Sequence, residues 1–308
     1  MWRSDVGVVC VGVFSGAATM ARMDLIETVD ELRKWRRGAG RVFFVPTMGA
    51  LHEGHAALIR EARRLAGESA RVVVSIFVNP LQFGPHEDLD RYPRTLDADL
   101  AMCVAAGADM VFAPTVKEVY FDDRSIKVTE SSLSGVLCGA SRPGHFDGVC
   151  TVVAKLFNLV QPDDAVFGKK DYQQLAIIRR LVRDLNFPVV IHALETVREA
   201  DGLAMSSRNR YLSTEERHQA PALNRALKKA REAWLSGTSN ASGLVDIVAV
   251  EIAGTAALAR VDYISVVDSR TLMPRDDMED LGLVALAVFF GKTRLIDNIE
   301  LHREQSGR

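Results

Sequence analysis

Residues Val72 to Val78 read VVVSIFV, a continuous run of β-branched and apolar residues. A strand with one solvated face would alternate polar and apolar positions, so this run fits a strand covered on both faces. Strands of that kind belong to parallel sheets, whose crossover helices cover both sides. The neighbouring sequence supplies such helices. Thr28-Val29-Asp30-Glu31 has capping-box spacing, and Val29, Leu32 and Trp35 continue a helix that Gly38-Ala39-Gly40 should end. Further helices are predicted over Leu96 to Ala106, Val149 to Val160 and Gln173 to Leu185. Short apolar strands are predicted at Val42 to Val45, Met110 to Ala113, Asp164 to Gly168 and Val189 to His192. Strand and helix alternate, which implies an α/β sheet with helices on both faces. Asn79-Pro80 reads as a loop, and the Gly- and Ser-rich stretch Gly135 to Gly148 as a mobile connection.

Phe43 to Arg60, FFVPTMGALHEGHAALIR, condenses the pattern into strand, tight turn and helix. The strand stops at Pro46, passes through Thr47-Met48-Gly49, and opens a segment with helical apolar spacing at Leu51, Ala57, Leu58 and Ala62. Gly49 allows close backbone approach to a ligand, and open N–H groups at a helix start favour an anion there. His52 and His55, three apart, share one face of the first turn. A lone His near a helix start is ordinarily a structural group. Zinc is disfavoured because the order His52-Glu53-Gly54-His55 lacks the four-residue spacing of a metalloprotease helix. The combined pattern points to phosphate and nucleotide chemistry. In an open parallel sheet ligands bind at the carboxyl ends of strands, where Pro46-Thr47, Asn79, Lys170-Asp171 and the loop past Thr196 should converge.

The 308 residues suffice for two domains, and 48% hydrophobic with 25% charged content is that of a folded globular chain rather than a disordered one. A formal charge of -2 offers no general attraction to nucleic acid or an anionic membrane, so any polyanion handled should be small. Cys10, Cys103, Cys138 and Cys150 are scattered without a CxxC pair, which disfavours a disulfide framework and fits a reducing cytoplasm. Arg3 precedes a mildly apolar run, Val6 to Ala18, diluted by Gly7, Gly12, Ser15 and Gly16 and too short for a membrane span. Residues 1–22 read as an N-terminal extension, with Met20 or Met23 as alternative starts.

Beyond about Asp201 the texture changes. Met205 to Arg210 is a polar basic loop, Ser213-Thr214-Glu215-Glu216 is a second capping box opening a long helix toward Gly237, and another helix covers Gly243 to Leu258. Tyr263 to Val267, Leu283 to Phe290 and Thr293 to Asp297 fit a small antiparallel sheet, with Gly291-Lys292 as its last turn. The predicted domains are 23–200 and 201–308.

PTMGALHEGH (Pro46 to His55), FVNPLQFG (Phe77 to Gly84), YPRT (Tyr92 to Thr95), RPGHFDGV (Arg142 to Val149), FGKKDYQQ (Phe167 to Gln174) and MSSRNRYL (Met205 to Leu212) closely resemble the pantothenate synthetase family. The resemblance runs from about Met23 onward. Its His-x-x-His turn and Ser-Ser-Arg loop are also similar to the HIGH and KMSKS elements of class I aminoacyl-tRNA synthetase-like nucleotidyltransferases. It implies a Rossmann-like doubly wound parallel sheet, a smaller α+β C-terminal lid domain and a homodimer. The implied activity joins pantoate to β-alanine at the expense of ATP, through a pantoyl-adenylate, giving pantothenate, AMP and pyrophosphate.

The resemblance assigns His52, His55, Lys170, Ser206, Ser207 and Arg208 to the triphosphate as donors to phosphoryl oxygens, with His55 in the most direct catalytic role. Around the nucleotide it places Met48, Gly49, Ala50, Leu51, Glu53, Gly54, Gly168, Lys169, Asp171, Val197 and Met205, with Asp171 suited to ribose hydroxyls. Pro46, Thr47, Gln82 and Gln174 fall at the pantoate site, where amides can both donate and accept. Mg²⁺ is implied by the ATP chemistry. Its protein ligands are left unknown, because Ala98 interrupts the acidic run at Asp97 and Asp99. The base that deprotonates β-alanine is not identified either. The alternatives are an adenylyltransferase that transfers AMP to a phosphate, and a non-catalytic nucleotide-binding protein. Loss of His52, His55, Lys170 or the Ser206-Ser207 pair would mark the latter, and all are present. A tRNA-acting enzyme would carry a basic face that the last hundred residues lack.

Overall fold

The structure, a computed structural model, describes residues 2–3, 8–10, 22–85, 87–278 and 281–302. Most of the apolar run Val6 to Ala18, Met20 as a start, and the Cys10 side chain lie outside the described residues. Backbone contacts divide the chain into two compact units. The first comprises Met1–Glu130, Pro143–Lys169 and Ile177–Glu195; the second comprises Ser131–Arg142, Lys170–Ala176 and Thr196–Arg308.

The first unit is built on strands β1 (Trp2–Arg3), β2 (Val8–Cys10), β3 (Arg22–Ile26), β4 (Val42–Thr47), β5 (Arg71–Ile76), β6 (Met110–Phe112), β7 (Asp164–Gly168) and β8 (Val190–Leu194). Their spatial order is β1-β2-β3-β6-β5-β4-β7-β8. The six strands from β3 onward run parallel, whereas β1 and β2 join antiparallel at the edge. The connecting helices are α1 (Val29–Arg36), α2 (Glu53–Ala66), α3 (Leu96–Ala106) and the short α4 (Val116–Val119). After them in the chain come α5 (Leu137–Ser141), which belongs to the second unit, α6 (His145–Val160), and α7 (Tyr172–Asp184), whose first residues to Ala176 also belong to the second. Alternate residues of β4 explain the layering. Phe43 and Val45 join Ile59 and Ala62 of α2 and Leu100 and Cys103 of α3 in one core, while Phe44 on the opposite face meets Phe157 of α6 edge-on at 6.4 Å. From β4 the chain steps outward to β5 and β6, then returns to β7 on the other side of β4. The crevice beyond the carboxyl ends of β4 and β7 is therefore the topological switch point, where such sheets bind ligands.

The second unit holds α8 (Thr214–Gln219), α9 (Ala222–Leu235), α10 (Ala241–Thr255) and an antiparallel sheet of β9 (Ala259–Asp268), β10 (Leu281–Phe290) and β11 (Thr293–His302), in the order β11-β10-β9. Val284, Leu286, Val288 and Phe290 alternate along β10 and pack with Leu223, Leu227 and Trp234 of α9 and Leu244, Val248 and Ile252 of α10. Gly291-Lys292 forms the two-residue turn before the Phe290–Thr293 pair.

Three local expectations are corrected. The helix predicted from Ser213 to Gly237 is two helices, because Pro221 has no N–H to continue the first and is well suited to start the second. Gly135 to Gly148 is no plain connection: it contains α5 and the first turn of α6, and its Gly148 serves close packing against Leu81. The buried stripe of α2 is Ala56, Ile59, Ala62 and Ala66, with Leu58 only partly covered.

Candidate functional site

The turn after β4 is held from inside. Thr47 Oγ1 donates to the Ser75 carbonyl at 2.7 Å and accepts the Gly49 N–H at 3.2 Å. Gly49 (φ +81°) and Ala50 (φ +50°) both occupy the left-handed region, an unusual conformation for alanine. The Asp99 carboxylate, only 2% exposed, sustains it by accepting the Ala50 and Leu51 N–H groups at 2.9 and 2.8 Å and the Thr95 hydroxyl at 3.1 Å. A Cβ on Gly49 would lie 3.0 Å from Asp99 Oδ2. The expectation of open N–H groups at this helix start is therefore corrected: several are already bonded within the protein, and the anion that Ala50 and Leu51 bind is Asp99.

The two histidines cap α2 reciprocally. His52 Nδ1 accepts the Gly54 N–H at 3.1 Å and His55 Nδ1 accepts the His52 N–H at 3.3 Å, with ring centroids 4.1 Å apart. An Nδ1 that accepts from a backbone amide carries no proton, so each neutral ring has its proton on Nε2. Both imidazoles are thereby preset as Nε2–H donors, the form suited to phosphoryl oxygens.

Beside this turn a second group forms around Asn79, 1% exposed, which opens the 3-10 turn Pro80–Gln82. Its Nδ2 donates to Gln82 Oε1 at 3.0 Å and to the Gly148 carbonyl at 3.1 Å; its Oδ1 accepts from the Leu81 N–H and the Tyr120 hydroxyl, at 3.3 and 2.9 Å. Burial raises the Tyr120 phenol far above its ordinary pKa, so it stays a donor. Gln82 Nε2 in turn points to Met48 Sδ at 2.8 Å, and His145 Nδ1 lies 2.7 Å from the Gln82 carbonyl. Gly148 is required here, since a Cβ would come within 2.3 Å of the Leu81 carbonyl oxygen. The first unit thus brings together Pro46 to His55 and Gln82. Its β7 ends at Gly168, and the next residue, Lys169, pairs with Glu195.

The second unit carries the remaining predicted residues. Lys170 Nζ is 3.6 Å from Asp171, and the Lys170 carbonyl accepts from Asn298 at 2.9 Å. Gln174 is partly buried. Its neighbour Gln173 is buried and donates to the Leu133 and Val136 carbonyls at 2.7 and 2.6 Å, a structural use of the adjacent amide. Val197 and Met205 are cross-strand neighbours, joined by a Met205 N–H to Val197 carbonyl bond of 3.0 Å. Ser206 caps the 3-10 turn Ser207–Tyr211 by accepting the Arg208 N–H at 3.3 Å. Below this loop Arg198 grips the buried Asp297 through two bonds of 2.7 and 2.9 Å, and Asn209 donates to Glu199 and to the Ala204 carbonyl.

Asn79 lies where it was expected, at the carboxyl end of a strand, whereas Asp99, Tyr120 and His145 were missed as site-forming residues. His145 lies inside RPGHFDGV and Asp99 just after YPRT, Tyr120 falls in none of the quoted blocks, and only the tertiary fold gives Asp99 and Tyr120 their partners.

Among the described residues no group of three or more His, Cys, Asp or Glu is placed to hold a metal ion, and no helix is long and apolar enough to cross a membrane. The pantoate-beta-alanine ligase family model matches residues 24–300. The chain is 56% identical over 270 residues to the pantothenate synthetase of Akkermansia muciniphila, covering 88% of this chain and 95% of that one. It is 53% identical over 290 residues to the pantothenate synthetase of Pseudomonas entomophila, covering 92% and 99%. Among solved structures, pantothenate synthetase from Thermus thermophilus superposes with a TM-score of 0.86 at 48% identity, covering 91% of this chain and all of that one. Pantoate-beta-alanine ligase from Francisella tularensis, solved in complex with beta-gamma ATP and beta-alanine, gives 0.74 at 32% identity, covering 90% and 97%.

Proposed function

Because the chain belongs to the pantoate–β-alanine ligase family, we propose that it condenses pantoate with β-alanine, consuming ATP and forming AMP and pyrophosphate through a pantoyl-adenylate. The observation that carries this reading is the reciprocal capping of His52 and His55, which presets two neutral Nε2–H donors at the switch point of the sheet. In the first step the pantoate carboxylate attacks the α-phosphorus of ATP, the P–O bond to pyrophosphate breaks, and charge on the phosphoryl oxygens needs positioned donors. His52, His55, Lys170, Ser206, Ser207 and Arg208 fill that role. Met48, Gly49, Ala50, Leu51, Glu53, Gly54, Gly168, Lys169, Asp171, Val197 and Met205 surround the nucleotide, and Pro46, Thr47, Gln82 and Gln174 hold pantoate.

In the second step the amine of β-alanine attacks the activated carbonyl and AMP departs. Mg²⁺, which the ATP chemistry implies, would supply neutralisation of charge on the phosphate oxygens. Asp99 is not one of its ligands, because both carboxylate oxygens already accept bonds inside the protein. Residues 201–308 act as the lid domain, and the working form is a cytoplasmic homodimer; sedimentation of the purified protein tests the dimer. The activity is tested by pyrophosphate and AMP release from Mg·ATP with pantoate alone, β-alanine alone, and both. Pantoate alone should release at most about one equivalent of pyrophosphate per site, and adding β-alanine should start continuous AMP release. Absence of any response to pantoate would overturn the reading.

A further inference from the structure

β-Alanine is an ammonium ion near neutral pH, so its nitrogen must lose a proton before it can attack. The structure distinguishes one imidazole from the other two beside this chemistry. A carbonyl oxygen can only accept, so the 2.7 Å bond between His145 Nδ1 and the Gln82 carbonyl places the proton of the neutral ring on Nδ1. Its Nε2 therefore carries the lone pair. His52 and His55 are donors at Nε2, and His145 has a basic nitrogen there, a contrast set entirely by the backbone partner of each Nδ1.

The placement of that ring is rigid. His145 is the first residue of α6, and the start of α6 is locked onto the turn Pro80–Gln82 by the Asn79 bond to the Gly148 carbonyl and by Gly148 lying against Leu81. Gln82, assigned above to pantoate, links this ring to the turn after β4: its side chain meets Met48, and its carbonyl accepts from His145. The imidazole is only partly buried, so a proton taken up there can return to water.

We propose that His145 is the general base of the second step, a proposal that rests on the ligase reading above. Nε2 takes one proton from the β-alanine ammonium and becomes imidazolium. The freed lone pair forms the C–N bond with the acyl carbon as the C–O bond to the AMP phosphate breaks. The second proton leaves the nitrogen with the departing phosphate.

The test uses the full chain and His145→Gln, whose amide can still donate to the Gln82 carbonyl, and follows the two half-reactions separately. Single-turnover pyrophosphate release with ATP and pantoate reads the first; decay of the preformed adenylate on adding β-alanine reads the second. The second should slow by about 10²–10⁴-fold, the range for losing a positioned base. The deficit should shrink as pH rises and free amine accumulates, and hydroxylamine, already unprotonated at neutral pH, should attack the variant's adenylate at close to the wild-type rate. Equal slowing of both half-reactions with an unchanged pH profile would make His145 a support for Gln82 and overturn the proposal, as would a second step of wild-type rate. No adenylate in the wild-type protein would instead sink the ligase reading.

Discussion

The carboxylate of Asp99 accepts the backbone N–H of Leu51 at 2.8 Å, joining the start of α3 to the turn that carries both capping histidines. Its other oxygen holds the N–H of Ala50, so a single buried side chain fixes two successive peptide units, one of them left-handed. Replacing it by Asn keeps the shape but sets an NH₂ against one of those N–H donors. Asp99→Asn should lose about 1–3 kcal/mol of stability, as expected for an unsatisfied buried polar pair. Adenylate formation should also slow, because His52 and His55 follow directly on the released turn. Urea unfolding and pyrophosphate release check the two effects; a wild-type rate in the variant would mean the carboxylate does not position the turn.

Gly148 faces backbone rather than a movable side chain. The methyl of Gly148→Ala would sit 2.3 Å from the Leu81 carbonyl oxygen, so α6 or the turn Pro80–Gln82 must shift. Overpacking of this kind costs about 1–3 kcal/mol. The shift would also disturb Gln82, and we expect the KM for pantoate to rise more than the KM for ATP. Equal effects on both would separate this glycine from the pantoate site proposed around Gln82.

The strand, turn and helix from Val42 to Ala66 were legible because each local signal agreed: β-branched strand, Pro and Gly at the turn, amphipathic helix. The parallel sheet followed from the unbroken Val72 to Val78 run. What escaped was nonlocal or carried two meanings. Asp99 lies 48 residues from the N–H it binds and in sequence resembles any acid in a helix's first turn. Gly148 looked like loop material because a glycine needed for close packing has the same letter as one needed for a bend. Pro221 was a local signal in plain view, overridden by the apolar spacing on either side. The tautomers of His52, His55 and His145 depend on which backbone group meets each Nδ1, and no spacing rule encodes that.

Asp164 links β7 to its neighbours: its two oxygens accept Arg41 Nε and His192 Nε2, each at 2.8 Å. Burial acts to raise its carboxyl, but the bonds and charges of Arg41 and His192 outweigh that and leave it below the ordinary aspartate value. The unfolded chain therefore takes up this proton at higher pH than the folded one. The stabilisation is complete above the unfolded aspartate value of about 3.9 and is lost as pH falls through the lower folded value. Thermal unfolding of wild type and Asp164→Asn should differ at neutral pH and converge in acid below about pH 4. A gap that stays constant into acid would exclude this carboxylate from the acid limb.

His55 serves the fold through Nδ1 and, in the proposed reaction, ATP through Nε2–H, and the two roles can be separated. His55→Ala removes both. It should cost about 1 kcal/mol of helix capping and slow adenylate formation by about 10²–10⁴-fold, the scale for one donor to transition-state charge. His55→Asn can still offer an oxygen to the His52 N–H but has no group where Nε2–H stood. Its stability should return toward wild type while the rate stays low. Lys170→Ala, which touches no cap, should lower the same rate by a similar factor with little loss of stability. Thermal unfolding and single-turnover pyrophosphate release on the three variants are sufficient. If His55→Asn regains the rate together with the stability, the ring acts on the reaction only through the fold, and donation from Nε2 has no part in forming the adenylate.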